Sequence, residues 1–127
     1  VARLDAIGII VSDMARAIGF YQIVGLDFEA DPDAVHAEAA GPEGLRVMLD
    51  TEASVRSFSD WEPPTGGSHR TALAFLCDDP AGVDRLYQEM LAAGGRGHLA
   101  PFDAPWGQRY ATVLDHDGNA VDLFAAL

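Results

Sequence analysis

Basic residues are scarce in this chain of 127 amino acids: Lys and Arg together number 8 against 20 Asp and Glu, a formal net charge of −12. A nucleic-acid binder needs a basic face to displace counterions from phosphates, and docking on anionic lipid needs the same. The charge balance therefore argues against nucleic acid and membrane as partners. Cysteine is rarer still. Cys77 stands alone, which excludes an intrachain disulfide framework and a Cys-rich zinc site. No apolar run approaches the ~20 residues of a membrane span. The N-terminus shows no basic-then-apolar signal pattern, so a soluble, cytoplasmic protein is expected. Catalytic loops are missing as well. Gly94-Gly95-Arg96-Gly97 follows a helical stretch rather than a strand, unlike a phosphate loop, and there is no Gly-x-Ser-x-Gly elbow.

What the chain does have is apolar material, 49% of its residues, with 22% charged. That suits one soluble domain with a real core. Leu4 to Val11 reads as a strand and Met14 to Val24 as an amphipathic helix. Ser12 or Asp13 would cap that helix and Gly25 would end it. Strands are expected over Leu26 to Ala30, Ala34 to Ala40 and Leu45 to Asp50, with a short helix over Thr51 to Phe58. The same order then recurs: strand Arg70 to Cys77, helix Ala81 to Ala93, strands Gly97 to Ala100, Gln108 to Leu114 and Ala120 to Ala125. A shift of 66 residues lays Asp13 on Asp79, Ala6 on Ala72 and Tyr21 on Tyr87. The expectation is a single domain over 1–127, with module one at 1–50, a connector at 51–69 and module two at 70–127.

The C-terminal segment carries the most specific motif. Pro105-Trp106-Gly107, Asp115-His116-Asp117-Gly118-Asn119 and Val121-Asp122-Leu123 follow one another. With the tandem repeat, opened by Leu4-Asp5-Ala6-Ile7-Gly8-Ile9 and Thr71-Ala72-Leu73-Ala74-Phe75, the chain resembles the vicinal oxygen chelate superfamily. This superfamily includes glyoxalase I, bleomycin-resistance proteins and extradiol dioxygenases. The resemblance implies an α+β fold of tandem βαβββ modules, whose mixed sheets roll into cups around a ligand. It also implies a homodimer whose pockets combine residues of both chains. Alternation turns Ala6, Gly8 and Ile10, and by the repeat Ala72, Ala74 and Leu76, toward the cups.

The metalloenzymes of this superfamily take a His or Gln from each opening strand and a carboxylate from a closing strand. Here the two His positions are Ala6 and Ala72, and the aligned closing positions are Arg46 and Asp122. One carboxylate does not make a chelate, so no metal and no cofactor is expected. His36 and His98 are expected as isolated side chains on edge-like strands, His69 at a strand edge and His116 in solvent. Cys77 reads as an inert core thiol.

A recognition surface remains. Arg46, Met48, Asp122 and Phe124 belong to the cups, while Trp61, Phe102, Trp106 and Tyr110 offer flat groups that attract planar or cationic guests. Arg46 and Asp122, aligned on corresponding positions, are expected to pair with each other or with groups on a ligand. The function expected is metal-free sequestration of a small molecule, an antibiotic or natural product, of the bleomycin-resistance type. The alternative is a lyase, isomerase or dioxygenase using a relocated metal or Asp122 as general base.

Overall fold

In the computed structural model, which describes residues 1–127, Asp13 and Asp79 start the two longest helices in the same way. Each has extended backbone, and each side chain accepts from the backbone N–H three residues on: Arg16 at 3.0 Å and Gly82 at 2.7 Å. The carboxylates satisfy helix donors that have no intrahelical partner. Both caps obey the 66-residue offset. The chain divides into two compact units, Val1–Gly67 and Ser68–Leu127.

Unit one runs β1 (Ala6–Val11), α1 (Met14–Gln22), β2 (His36–Ala40), β3 (Arg46–Thr51) and α2 (Glu52–Arg56). Its sheet has the order β1-β3-β2, with β3 parallel to β1 and antiparallel to β2. Helix α1 buries Met14, Ala17, Phe20 and Tyr21, while Ile9 and Val11 on β1 and Val47 and Leu49 on β3 are buried in the same unit. The strand expected at Leu26 to Ala30 does not form. Leu26 and Phe28 are buried, which produces the alternating pattern. Their backbone bonds are local, however: Leu26 N–H to Tyr21 O at 3.1 Å and Ala30 N–H to Phe28 O at 3.0 Å. Unit one is therefore βαββ followed by one short helix.

Unit two has the full βαβββ order: β4 (Ala72–Leu76), α3 (Pro80–Ala92), β5 (Arg96–Ala104), β6 (Gln108–Leu114) and β7 (Ala120–Ala126). The sheet order is β4-β7-β6-β5, with β4 parallel to β7 and the other pairs antiparallel. Val83, Tyr87 and Met90 of α3 are buried, as are Ala111 and Val113 of β6 and Val121, Leu123 and Ala125 of β7. Gly97 on β5 permits a close approach: a Cβ there would lie 2.3 Å from the Tyr87 hydroxyl. Cys77 is buried, and that burial pushes its thiol pKa up, in keeping with a core thiol.

The Asp115-His116-Asp117-Gly118-Asn119 motif is a turn-building device. Asp115, 2% exposed, accepts the Asp117 and Asn119 N–H groups on Oδ1 at 2.9 and 2.8 Å, and the Asn119 side-chain amide on Oδ2 at 2.9 Å. His116 stays accessible to solvent, as expected, and is also tied to a helix end. Its Nε2 lies 3.1 Å from Ala93 O, at the C-terminal end of α3, where the last carbonyls lack intrahelical donors. No helix is long and apolar enough to cross a membrane.

Candidate ligand-binding site

Strand register decides which side chains correspond between the units. On β1, Ala6 opposes Arg46 and Gly8 opposes Met48. On β4, Ala72 opposes Ala120 and Ala74 opposes Asp122. The 66-residue offset equates Gly8 with Ala74, so the counterpart of Asp122 is Met48. Arg46 corresponds to Ala120. The alignment of Arg46 with Asp122 is thus off by two residues, a slip that keeps the side chain on its own face because strands repeat every two residues.

In unit two, one sheet face gathers five of the expected site residues. Asp122 and Phe124 alternate along β7; Tyr110 opposes Phe124 on β6, and Phe102 opposes Tyr110 on β5. Trp106 stands in the β5–β6 turn and its indole N–H donates to Gln108 Oε1 at 2.9 Å. Phe102, Trp106 and Tyr110 meet edge to face in all three pairs, with centroids 5.3 to 6.3 Å apart. This is the geometry that ring quadrupoles favour. Trp106 remains 58% exposed, so the cluster presents an apolar surface to solvent.

Asp122 lies beside this wall and is already held. The Tyr110 hydroxyl donates to Oδ2 at 2.5 Å and the Thr112 hydroxyl to Oδ1 at 2.7 Å. Burial, and then the adjacent carboxylate, push the Tyr110 pKa up to about 12, so the phenol stays a donor at neutral pH. Thr112 is 4% exposed and was not anticipated as a site residue. Its position directly opposite Asp122 becomes visible only once the register is known. On the other side of Asp122, β4 contributes Ala74, too small to cover the carboxylate.

Unit one carries a charge network instead. Arg46 donates to Glu38 and to Asp5, both at 2.6 Å. Arg46 therefore has two carboxylate partners within its own unit, where the expectation set it against Asp122 or a ligand group. His36 is not isolated either. Its Nδ1 lies 2.6 Å from Asp50 Oδ1 and its Nε2 2.7 Å from Glu38 Oε2. The hydrogen bond to Glu38, then that to Asp50, raise its pKa. Glu38, two residues along an alternating strand, was the available signal for this pair. Met48 is half-buried on the same face, its Cε the nearest atom to a Cβ placed at Gly8, 3.9 Å away. Trp61 lies in the loop after α2, with the Arg56 guanidinium 5.4 Å from its ring centroid. It shares no strand with the other candidates. The His69 and His98 rings meet edge to face at 5.1 Å.

The chelate positions do not fit a metal. Ala6 and Ala72 have no donor atom, and the corrected closing position of unit one is a thioether. Hard and borderline cations need several N or O donors converging, and Asp122 is the one carboxylate among the four. Among the described residues no three His, Cys, Asp or Glu side chains form a group able to hold a cation.

Residues 3–123 match the family model of the Glyoxalase/Bleomycin resistance protein/Dioxygenase superfamily. A glyoxalase/bleomycin resistance protein/dioxygenase family enzyme from Burkholderia phytofirmans PsJN superposes with a TM-score of 0.79 at 22% identity, over 99% of this chain and 100% of that one. A glyoxalase-related enzyme from Fulvimarina pelagi gives 0.79 at 18% identity, over 98% and 88%. The lactoylglutathione lyase of Agrobacterium tumefaciens gives 0.65 at 19%, over 98% and 93%. At these identities the likeness is one of fold. No curated protein matches the sequence. With the family model spanning nearly the whole chain, the protein belongs to the Glyoxalase/Bleomycin resistance protein/Dioxygenase superfamily.

Proposed function

We propose that this protein is a metal-free small-molecule-binding protein of the bleomycin-resistance type, sequestering an antibiotic or natural product on the exposed sheet face of unit two. The observation that carries this reading is the pairing of an open aromatic wall, Phe102, Trp106 and Tyr110, with a carboxylate pre-ordered by two hydroxyls. Flat rings supply contact area at low entropic cost, and a fixed acceptor orients the guest. The net charge of −12 favours approach of a cationic guest. The enzymatic alternative, with Asp122 as general base, is less well supported: each of its oxygens already accepts a hydroxyl hydrogen bond. A homodimer, in the cytoplasm, is part of this proposal, and the exposed Leu76 side chain supports self-association.

Thermal-shift screening of untagged protein against natural products, bleomycin among them, and against Ni²⁺, Zn²⁺, Mn²⁺ and Fe²⁺ tests the reading. A guest that binds the folded state raises the melting temperature by mass action. The expected result is a rise with at least one organic ligand and none with the metals. A stoichiometric metal held through Asp122 would overturn it. Sedimentation at micromolar concentration should give a dimer, and a stable monomer would remove that part of the proposal.

A further inference from the structure

Asp122 differs from the ion-paired carboxylates in the company it keeps. Glu38, Asp5, Asp84 and Asp103 each meet an arginine, and Asp50 meets His36. Asp122 meets only two neutral hydroxyls, and no cation reaches it among the described residues. All eight basic residues of the chain are arginines, so no lysine ammonium competes for it. An ionised carboxylate offers about four acceptor positions. Tyr110 and Thr112 take one on each oxygen, which leaves one open on each.

The surroundings restrict what fills them. Thr112 and Tyr110 crowd the β6 side, whereas the β4 side carries Ala74 opposite Asp122 and Ala72 opposite Ala120. Both alanines are exposed. A compact head therefore has room over the β4 side, within reach of the open acceptor positions. The aromatic wall beside it accepts an apolar body and attracts positive charge through the ring faces. A carboxylate acceptor is met most strongly by a charged N–H donor, so that is the group that completes this site best.

Resting on the function proposed above, we infer that the guest belongs to a defined chemical class: a primary or secondary ammonium ion on a flat apolar body, its N–H groups donated to Asp122 and its body laid against Trp106 and Phe102. A quaternary ammonium, lacking N–H, satisfies the rings but not the carboxylate.

Three probes of one shape separate these terms: benzylammonium, benzyltrimethylammonium and benzyl alcohol. Each is titrated into the full chain while the two indole N–H resonances are followed by NMR, with Trp106→Phe assigning its own peak. Benzylammonium should move the Trp106 resonance saturably, at least tenfold more tightly than either other probe, and should weaken as salt is raised. Asp122→Asn should bring benzylammonium down to the level of the alcohol, and Thr112→Val should lie between. Equal binding of ammonium and alcohol, an unaffected Asp122→Asn, or no benzylammonium binding at millimolar concentration each overturns the inference. The comparison of probes on the unaltered protein needs no variant to fold. If these probes fail while the natural-product screen yields a ligand, the ammonium class falls and the binding function stands; if both fail, both fall.

Discussion

The Tyr110 phenol donates to Asp122 Oδ2 at 2.5 Å, diagonally across the β6–β7 ladder, while Thr112 reaches the other oxygen from directly opposite. A diagonal contact of this kind lies within reach of an aromatic side chain but not of a short one. The carboxylate is consequently ordered by its own sheet.

Burial, with this bond second to it, makes Tyr110 a late-titrating tyrosine. Burial first, and Asp122 second, raise its pKa from 10.0 to about 12. A raised pKa contributes stability that is complete below pH 10 and is lost as pH climbs through the folded value. The ultraviolet phenolate signal that disappears in Tyr110→Phe should therefore be centred near pH 12. A difference signal centred near pH 10 would show the hydrogen bond absent in solution.

The charge network of unit one has a pH window of its own. His36 is raised from 6.5 by Glu38 and then Asp50, so its contribution is complete below pH 6.5 and fades as pH rises through the folded value. Glu38 is lowered from 4.5 by His36 and then Arg46, so its contribution is complete above pH 4.5 and fades as pH falls through the folded value. Both are in place between pH 4.5 and 6.5. Denaturant midpoints measured from this range upward should show the protein losing stability above pH 6.5 more than His36→Asn does. Parallel pH profiles would place the imidazole outside the network.

Asp115 should matter to stability rather than binding. It is 2% exposed and accepts two backbone N–H groups and an amide. Asp115→Ala leaves those donors without this partner, at a cost of about 2–4 kcal/mol. Asp115→Asn keeps one carbonyl acceptor and should lose less. Chemical denaturation of the two variants gives the comparison, and an unchanged midpoint in Asp115→Ala would refute the structural role.

Gly97 should resist enlargement for a steric reason. A Cβ would lie 2.3 Å from the Tyr87 hydroxyl and 3.3 Å from Cζ. Gly97→Ala should cost about 1–3 kcal/mol, the usual range for overpacking. Tyr87→Phe removes the nearest clashing atom, so the double variant should be more stable than the sum of the single losses implies. Strict additivity in thermal melts would mean that the two positions do not touch.

Much of this protein was legible locally. The helix starts at Asp13 and Asp79, the 66-residue repeat and the buried faces of β1 and β7 all rest on short-range chemistry: a side-chain oxygen for orphan donors, and alternation of apolar groups. The placing of Asp122 and Phe124 on one face followed from the same period of two, whereas Phe102 lies beyond the strand expected at Gly97 to Ala100 and joins them through an irregular β5 register.

What the tertiary structure alone decided was register and partnership. A slip of two residues leaves every side chain on its proper face, so alternation could not distinguish Met48 from Arg46 as the counterpart of Asp122. Leu26 to Ala30 alternates like a strand, yet a strand exists only where a neighbour supplies the ladder, and there its bonds turn inward to Tyr21 and Phe28. Thr112 came to hold Asp122, and Asp50 to hold His36, because cross-strand pairing brought them face to face. Their separations of 10 and 14 residues are set by how two strands dock, and composition and periodicity do not encode that.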